Sequence, residues 1–192
     1  MFQILVVCHA NVCRSAYAAT LLRSALPATE DFSIVSAGLG AAAGHPICPY
    51  VSSALGDDHR VSHASQPLDA ELVARSDLIL SMGPDQTARI CAAWPETRHK
   101  VFGLVEAAVL AAETRRRGSV GTQPWDTKLP EALGQLRGLV EIPALRNPRG
   151  RWRGVLAPGR IADGHGLTPA GHRRVLEQVK QYTQLLSGTA AG

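Results

Sequence analysis

The chain has 192 residues, of which 45% are apolar and 19% charged, with a net charge of +4. That length suits one domain with a sizeable core and is short for two. No apolar stretch reaches the ~18 residues of a membrane span, and the basic residues form no stripe interleaved with aromatics. Membrane and nucleic-acid partners are therefore not expected.

Met1 to Val7 lacks a basic flank and reads as a first strand, not a secretory signal. The uninterrupted apolar run from Phe2 to Cys8 is the pattern of a strand buried on both faces of a parallel sheet. Ser15 to Leu26 has Ala18, Leu21, Leu22 and Ala25 at helical spacing and is closed by Pro27. Phe32 to Val35 is a second short strand, ended by Ser36-Ala37-Gly38. Helices are predicted from Pro49 to Leu55, with Gly56 as C-cap signal, and from Asp69 to Arg75. Asp77 to Met82 is a third buried strand, and Gly83-Pro84 opens a helix reaching Ala93. Lys100 to Leu104 is a fourth strand. The last helix starts at Thr168 (N-cap) and Pro169 (N1), with Val175, Leu176, Val179, Tyr182 and Leu186 on one face. This alternation is that of an α/β domain with a mostly parallel sheet.

The rhythm loosens between 106 and 160, where five prolines and ten basic residues stand against five acidic ones. This segment reads as a basic, Pro/Gly-containing insertion in one domain covering 1–192, solvated or serving as a docking arm, with helical potential at Glu106–Arg116 and Pro130–Val140.

The four cysteines, Cys8, Cys13, Cys48 and Cys91, are too few for a disulfide scaffold, and none sits in a zinc-type Cys-x2-Cys pair. They read as free thiols of a cytoplasmic protein, Cys48 and Cys91 as ordinary packing residues. His45, His59, His63, His99 and His172 show no ligand spacing. No metal and no cofactor is expected.

Chemistry concentrates in Cys8-His9-Ala10-Asn11-Val12-Cys13-Arg14, a tight turn between a strand and a helix. Such a turn aims backbone N–H groups inward beside the positive end of the helix dipole, which makes an anion site. Arg14 closes the loop, where its planar fork matches two phosphate oxygens. The same field favours a thiolate on Cys8, so nucleophile and cradle coincide, as attack on phosphorus through a phosphocysteine requires. Asn11 tolerates a left-handed backbone and ties the loop together, and Ser15 is placed to donate a hydrogen bond to the Cys8 sulfur.

With its flanking strand and helix, this loop resembles the low-molecular-weight protein tyrosine phosphatase signature, Cys-x-Gly-Asn-x-Cys-Arg-Ser-Pro. The resemblance continues through Ser36-Ala37-Gly38, Gly44-His45-Pro46, Ala74 to Met82, Ile161-Ala162-Asp163-Gly164 and the final helix. It implies a four-stranded parallel sheet with helices on both faces. It also implies phosphatase activity on a phosphorylated protein or small phosphomonoester. His9, Ala10, Asn11, Val12, Cys13 and Ser15 would cradle the phosphate. Asp163 would be the general acid and base, standing where the family has Asp-Pro-aromatic; here the next residues are Gly164 and His165. His165 is a candidate proton carrier or phosphate contact, and Asp126 is the rival acid. Ala10 replaces the family's Gly and would strain the loop if its φ were positive; Ala16 replaces its Pro. Cys13 matches a second family cysteine and would form a reversible disulfide with Cys8.

Aromatic residues make up only 5% of the chain, and no large apolar ring stands in either loop, so a phosphotyrosine ring would need Trp125 or Trp152 over the site. Two other readings remain open. One is an arsenate reductase using a small external thiol, since Met82 stands where a relay cysteine would be expected and only Cys91 is near. The other is a catalytically weak phosphate-binding regulatory module.

Overall fold

The computed structural model describes residues 1–26, 32–56, 62–118, 128–144 and 158–189. Asp126, Trp125, Trp152 and His59 lie outside them, as does much of the basic segment.

Four parallel strands form one sheet in the order β2-β1-β3-β4: β1 Phe2–Cys8, β2 Phe32–Gly38, β3 Leu78–Ser81 and β4 Val101–Gly103. Every residue of β1 is buried, as its unbroken apolar run requires of a central strand covered on both faces. Among the described residues seven α-helices cover the sheet: α1 Arg14–Ala25, α2 Pro49–Leu55, α3 Ala70–Arg75, α4 Pro84–Ala93, α5 Leu104–Arg116, α6 Leu129–Leu136 and α7 Pro169–Ser187. Ile4, Val6 and Cys8 of β1 point into a core shared with α1, α5 and α7. Leu5 and Val7 point into a second one with Val73 of α3 and Ile90 of α4. The α/β class, the four parallel strands and the two helical layers are as the sequence reading expects.

The helix expected over Pro130–Val140 is observed as α6, which stops at Leu136, and two further features differ from the reading for physical reasons. β2 does not stop at Val35: Ser36, Ala37 and Gly38 pair with Val6, Val7 and Cys8. These turn-like residues stay in the strand because β1 needs a partner up to its last residue. Glu106–Arg116 is not part of an insertion. It belongs to α5, whose Leu104, Val105, Ala107, Ala108, Leu110 and Ala111 are buried, and which packs against α7. The helix expected over Glu106–Arg116 is there, but its charged residues sit off the buried side or at the helix end, which made a core helix look like part of a solvated basic segment. α7 has the predicted Thr168 cap, whose hydroxyl accepts from Gly171 N–H, and Gly188 (φ 74°) ends it in the left-handed region glycine favours.

Candidate active site

Cys8 ends β1 and is 2% exposed. The turn that follows is held by its carbonyls, which are engaged outward. Leu39 N–H donates to Cys8 O (3.0 Å), Gly40 N–H to His9 O (2.9 Å) and Cys48 N–H to Val12 O (2.7 Å). His63 Nε2 lies 2.6 Å from Asn11 O. Inside the turn, Asn11 N–H donates to Cys8 Sγ at 3.3 Å. Gly38 is what lets β2 come this close. A Cβ there would stand 2.5 Å from His9 O and 2.9 Å from Asn11 N.

Asn11 is the one non-glycine with a positive φ among the described residues, at 56°. Its buried amide donates to Ser15 Oγ (3.0 Å) and Ser36 Oγ (2.9 Å) and accepts from Gln66 N–H (3.0 Å). Ser15 Oγ thus already accepts a hydrogen bond, which leaves its proton for Cys8 Sγ, 3.0 Å away. Ala10 has no positive φ, so the family's glycine is dispensable here without backbone strain.

α1 begins at Arg14 with no side-chain cap and no acid in its first turn. Its free N–H groups and dipole therefore face the loop uncompensated, a ready seat for an anion. Arg14 is buried, donating to Ile161 O (3.4 Å) and meeting Asp163 Oδ2 at 2.8 Å. The Asp163 segment is fastened to the end of β3 by Ile161 N–H donating to Met82 O (2.9 Å). Asp163 Oδ1 accepts from His165 N–H (3.0 Å) and lies 3.3 Å from His165 Nδ1. Burial alone would raise the Asp163 carboxyl, but Arg14 and His165 outweigh it and hold the group below its ordinary value. His9 and Arg14 of the loop share with Asp163 the wall of a cleft of about 330 Å³, to which Arg89 and Arg160 add positive charge, Arg160 being paired with Asp85 at 3.0 Å.

The structure thus brings Cys8, Arg14, Asp163 and the loop residues 9–13 and 15 together, with His165 bonded to Asp163. Cys91 belongs with the core of the opposite sheet face. Sequence reasoning missed the supports: Ser36, His63 and Gln66 around Asn11, Arg89 and Arg160 in the cleft. It also missed a second cluster. Cys13 Sγ lies 3.1 Å and Cys48 Sγ 3.6 Å from His172 Nε2, and the Tyr50 ring stacks on His172 at 4.3 Å between centroids. The hydrogen bond from Cys13 draws the Cys48 thiol down to about 5 against its burial, while the same bond and burial push Cys13 far up. No periodicity links positions 13, 48 and 172; only folding does.

A doubly wound α/β sheet with a cysteine- and arginine-bearing anion loop at the tip of its first strand defines a cysteine-dependent phosphatase class of fold. The sequence model of the family "low molecular weight phosphotyrosine protein phosphatase" matches residues 3–115, and the chain belongs to that family. It is 43% identical over 106 residues to the probable low molecular weight protein-tyrosine-phosphatase EpsP of Ralstonia solanacearum, covering 54% of this chain and 70% of that one. It is 38% identical over 103 residues to the low molecular weight protein-tyrosine-phosphatase Etp of Escherichia coli, covering 52% and 67%. The fold matches the YwlE arginine phosphatase of Geobacillus stearothermophilus with a TM-score of 0.65 at 21% identity, over 98% of this chain and 92% of that one. It matches the tyrosine phosphatase Wzb of Escherichia coli K30 at 0.64 and 19%, over 98% of each chain.

Proposed function

We propose that this chain hydrolyses phosphate monoesters, with phosphotyrosine in proteins as the substrate class, through a phosphocysteine on Cys8. The observation that carries the reading is the position of Cys8 Sγ. It receives the Asn11 N–H and the Ser15 hydroxyl beside an uncapped helix start, in a loop whose Arg14 touches Asp163 at 2.8 Å. The names of EpsP and Etp support the tyrosine part.

In this mechanism the phosphate takes the Arg14 fork from Asp163. The Cys8 thiolate attacks phosphorus while Asp163, protonated in the complex, gives its proton to the leaving ester oxygen. Water then attacks the phosphocysteine, losing a proton to the Asp163 carboxylate. The thiolate departs, steadied by Ser15 and the Asn11 N–H. His165 holds Asp163 in place, and residues 9–13 line the cradle. The same reading takes the protein to be cytoplasmic, as one phosphatase-like domain with a basic insertion; among the described residues no helix is long and apolar enough to cross a membrane. A reversible Cys8–Cys13 disulfide belongs to it too, and requires the Cys13 sulfur to turn from Cys48 and His172.

Turnover of p-nitrophenyl phosphate and of a phosphotyrosine peptide tests the reading. Cys8→Ser should abolish both, and Asp163→Asn should lower kcat by roughly 10²–10⁴-fold. Hydrolysis undiminished in Cys8→Ser refutes the nucleophile; thiol-dependent arsenate turnover without ester hydrolysis refutes the phosphatase.

A further inference from the structure

We propose that Cys13, Cys48 and His172 form a buried metal site of the zinc class, which takes Cys13 from the phosphate loop and leaves the nucleophile Cys8 outside it. Their donor atoms come from three distant segments: the loop before α1, the residue that caps α2, and the first turns of α7. All three atoms lie within 4.8 Å of one another, and all three residues are buried or nearly so. Around a tetrahedral zinc with Zn–S near 2.3 Å and Zn–N near 2.0–2.1 Å, neighbouring donors stand roughly 3.5–3.8 Å apart. Cys48 Sγ is 3.6 Å and Cys13 Sγ 3.1 Å from His172 Nε2, so a metal needs only a small outward adjustment.

The surroundings hold the donors in place. Cys48 N–H donates to Val12 O at 2.7 Å, tying one ligand segment to the loop of the other. The Tyr50 ring, stacked at 4.3 Å, sets the plane of the imidazole with Nε2 toward the sulfurs. Gly164 leaves room for that ring: a Cβ at 164 would come within about 3.0 Å of its Nδ1 and Cε1. Glycine in the acid loop and histidine on α7 therefore belong together.

Two sulfurs and one imidazole favour zinc or a softer ion over magnesium or calcium. Binding requires both sulfurs as thiolates, which together balance a divalent charge. Three protein donors leave a fourth position for water or a small external ligand. Such a metal would pin Cys13 and oppose its disulfide with Cys8.

The test is titration of the reduced, metal-free full chain with Co²⁺ and Zn²⁺. One metal per chain is expected, with thiolate-to-cobalt charge-transfer absorption and the intense visible bands of tetrahedral cobalt. Cys8→Ser should keep these bands. Cys48→Ser and His172→Phe should lose them and bind more weakly by more than the roughly 10–100-fold that loss of an outer partner costs. Absence of the bands in the wild type overturns the site, as does their loss in Cys8→Ser with retention in Cys48→Ser. Should Cys48→Ser not fold, iodoacetamide labelling of Cys8→Ser decides. Zinc should protect Cys48 from alkylation, and unchanged labelling overturns the site.

Discussion

Asn11 shows what a single residue does here. Its backbone sits in a conformation that costs other L-residues about 1–2 kcal/mol, and its amide holds Ser15, Ser36 and the Gln66 N–H. Asn11→Ala should destabilise the protein by about 2–4 kcal/mol in chemical denaturation, from the left-handed φ and the orphaned hydrogen bonds together. Asn11→Gly keeps the turn and loses only the amide, so it should cost less while still lowering kcat. Asp163 argues at the same scale. Arg14 and His165 hold its carboxyl low. A bound phosphate offsets the charge of Arg14, so the Asp163 pKa should rise in the complex. As a general acid it must be protonated there, so kcat should fall as pH rises through that value. Asp163→Asn should flatten this limb of the kcat profile. The Arg14–Asp163 pair also adds stability above the ordinary carboxylate pKa, lost as pH falls through the lowered one. With 42% of the Asp163 side chain exposed, that contribution is small.

Among the elements, β4 is the sheet's edge, and α6 arrives with a residue that covers it. Arg137 donates to Val101 O at 2.6 Å and pairs with Glu106 at 2.9 Å, and its guanidinium carbon lies 3.9 Å from the centre of the Phe102 ring. An edge carbonyl that would otherwise recruit another chain is thereby satisfied. Arg137→Ala should lower stability by about 1–2 kcal/mol, and Arg137→Lys should restore little of it, because a point charge cannot bond a carbonyl, pair with a carboxylate and stack at once. A melting temperature unchanged in Arg137→Ala would refute the role. α7 was legible residue by residue, since its cap, its N1 proline and its apolar stripe are all local signals. β2 was legible only as far as Val35, because Ser36 and Gly38 owe their strand conformation to β1 and to Asn11, not to their own propensities.

For the whole molecule, the site joins the first and last thirds of the chain. Asp163 reaches Arg14, and His172 reaches Cys13, because α7 packs on α1 and α5. An anion seated in the loop binds only the assembled form, so inorganic phosphate at ~100-fold its Kd should stabilise the protein by about 2.7 kcal/mol. That corresponds to a melting shift of roughly 5–10 °C at this chain length. Arg14→Ala should abolish most of the shift, and an equal shift in that variant would remove Arg14 from the anion site.

The sequence alone determined the α/β class, the strands near their observed places and the loop from Cys8 to Arg14. Each of these is written in contiguous residues: an apolar run, a helical stripe, a proline, a loop with its cysteine and arginine. Only the tertiary structure decided that Glu106–Arg116 is core, since burial depends on what α7 presents to it. The same holds for Asn11, held by residues 25 and 55 positions away, and for Arg14 and Asp163, 149 apart in the chain. Cys13, Cys48 and His172 gather for the same reason. Contacts across such separations leave no period to read, because they are set by packing rather than by the chain's own geometry.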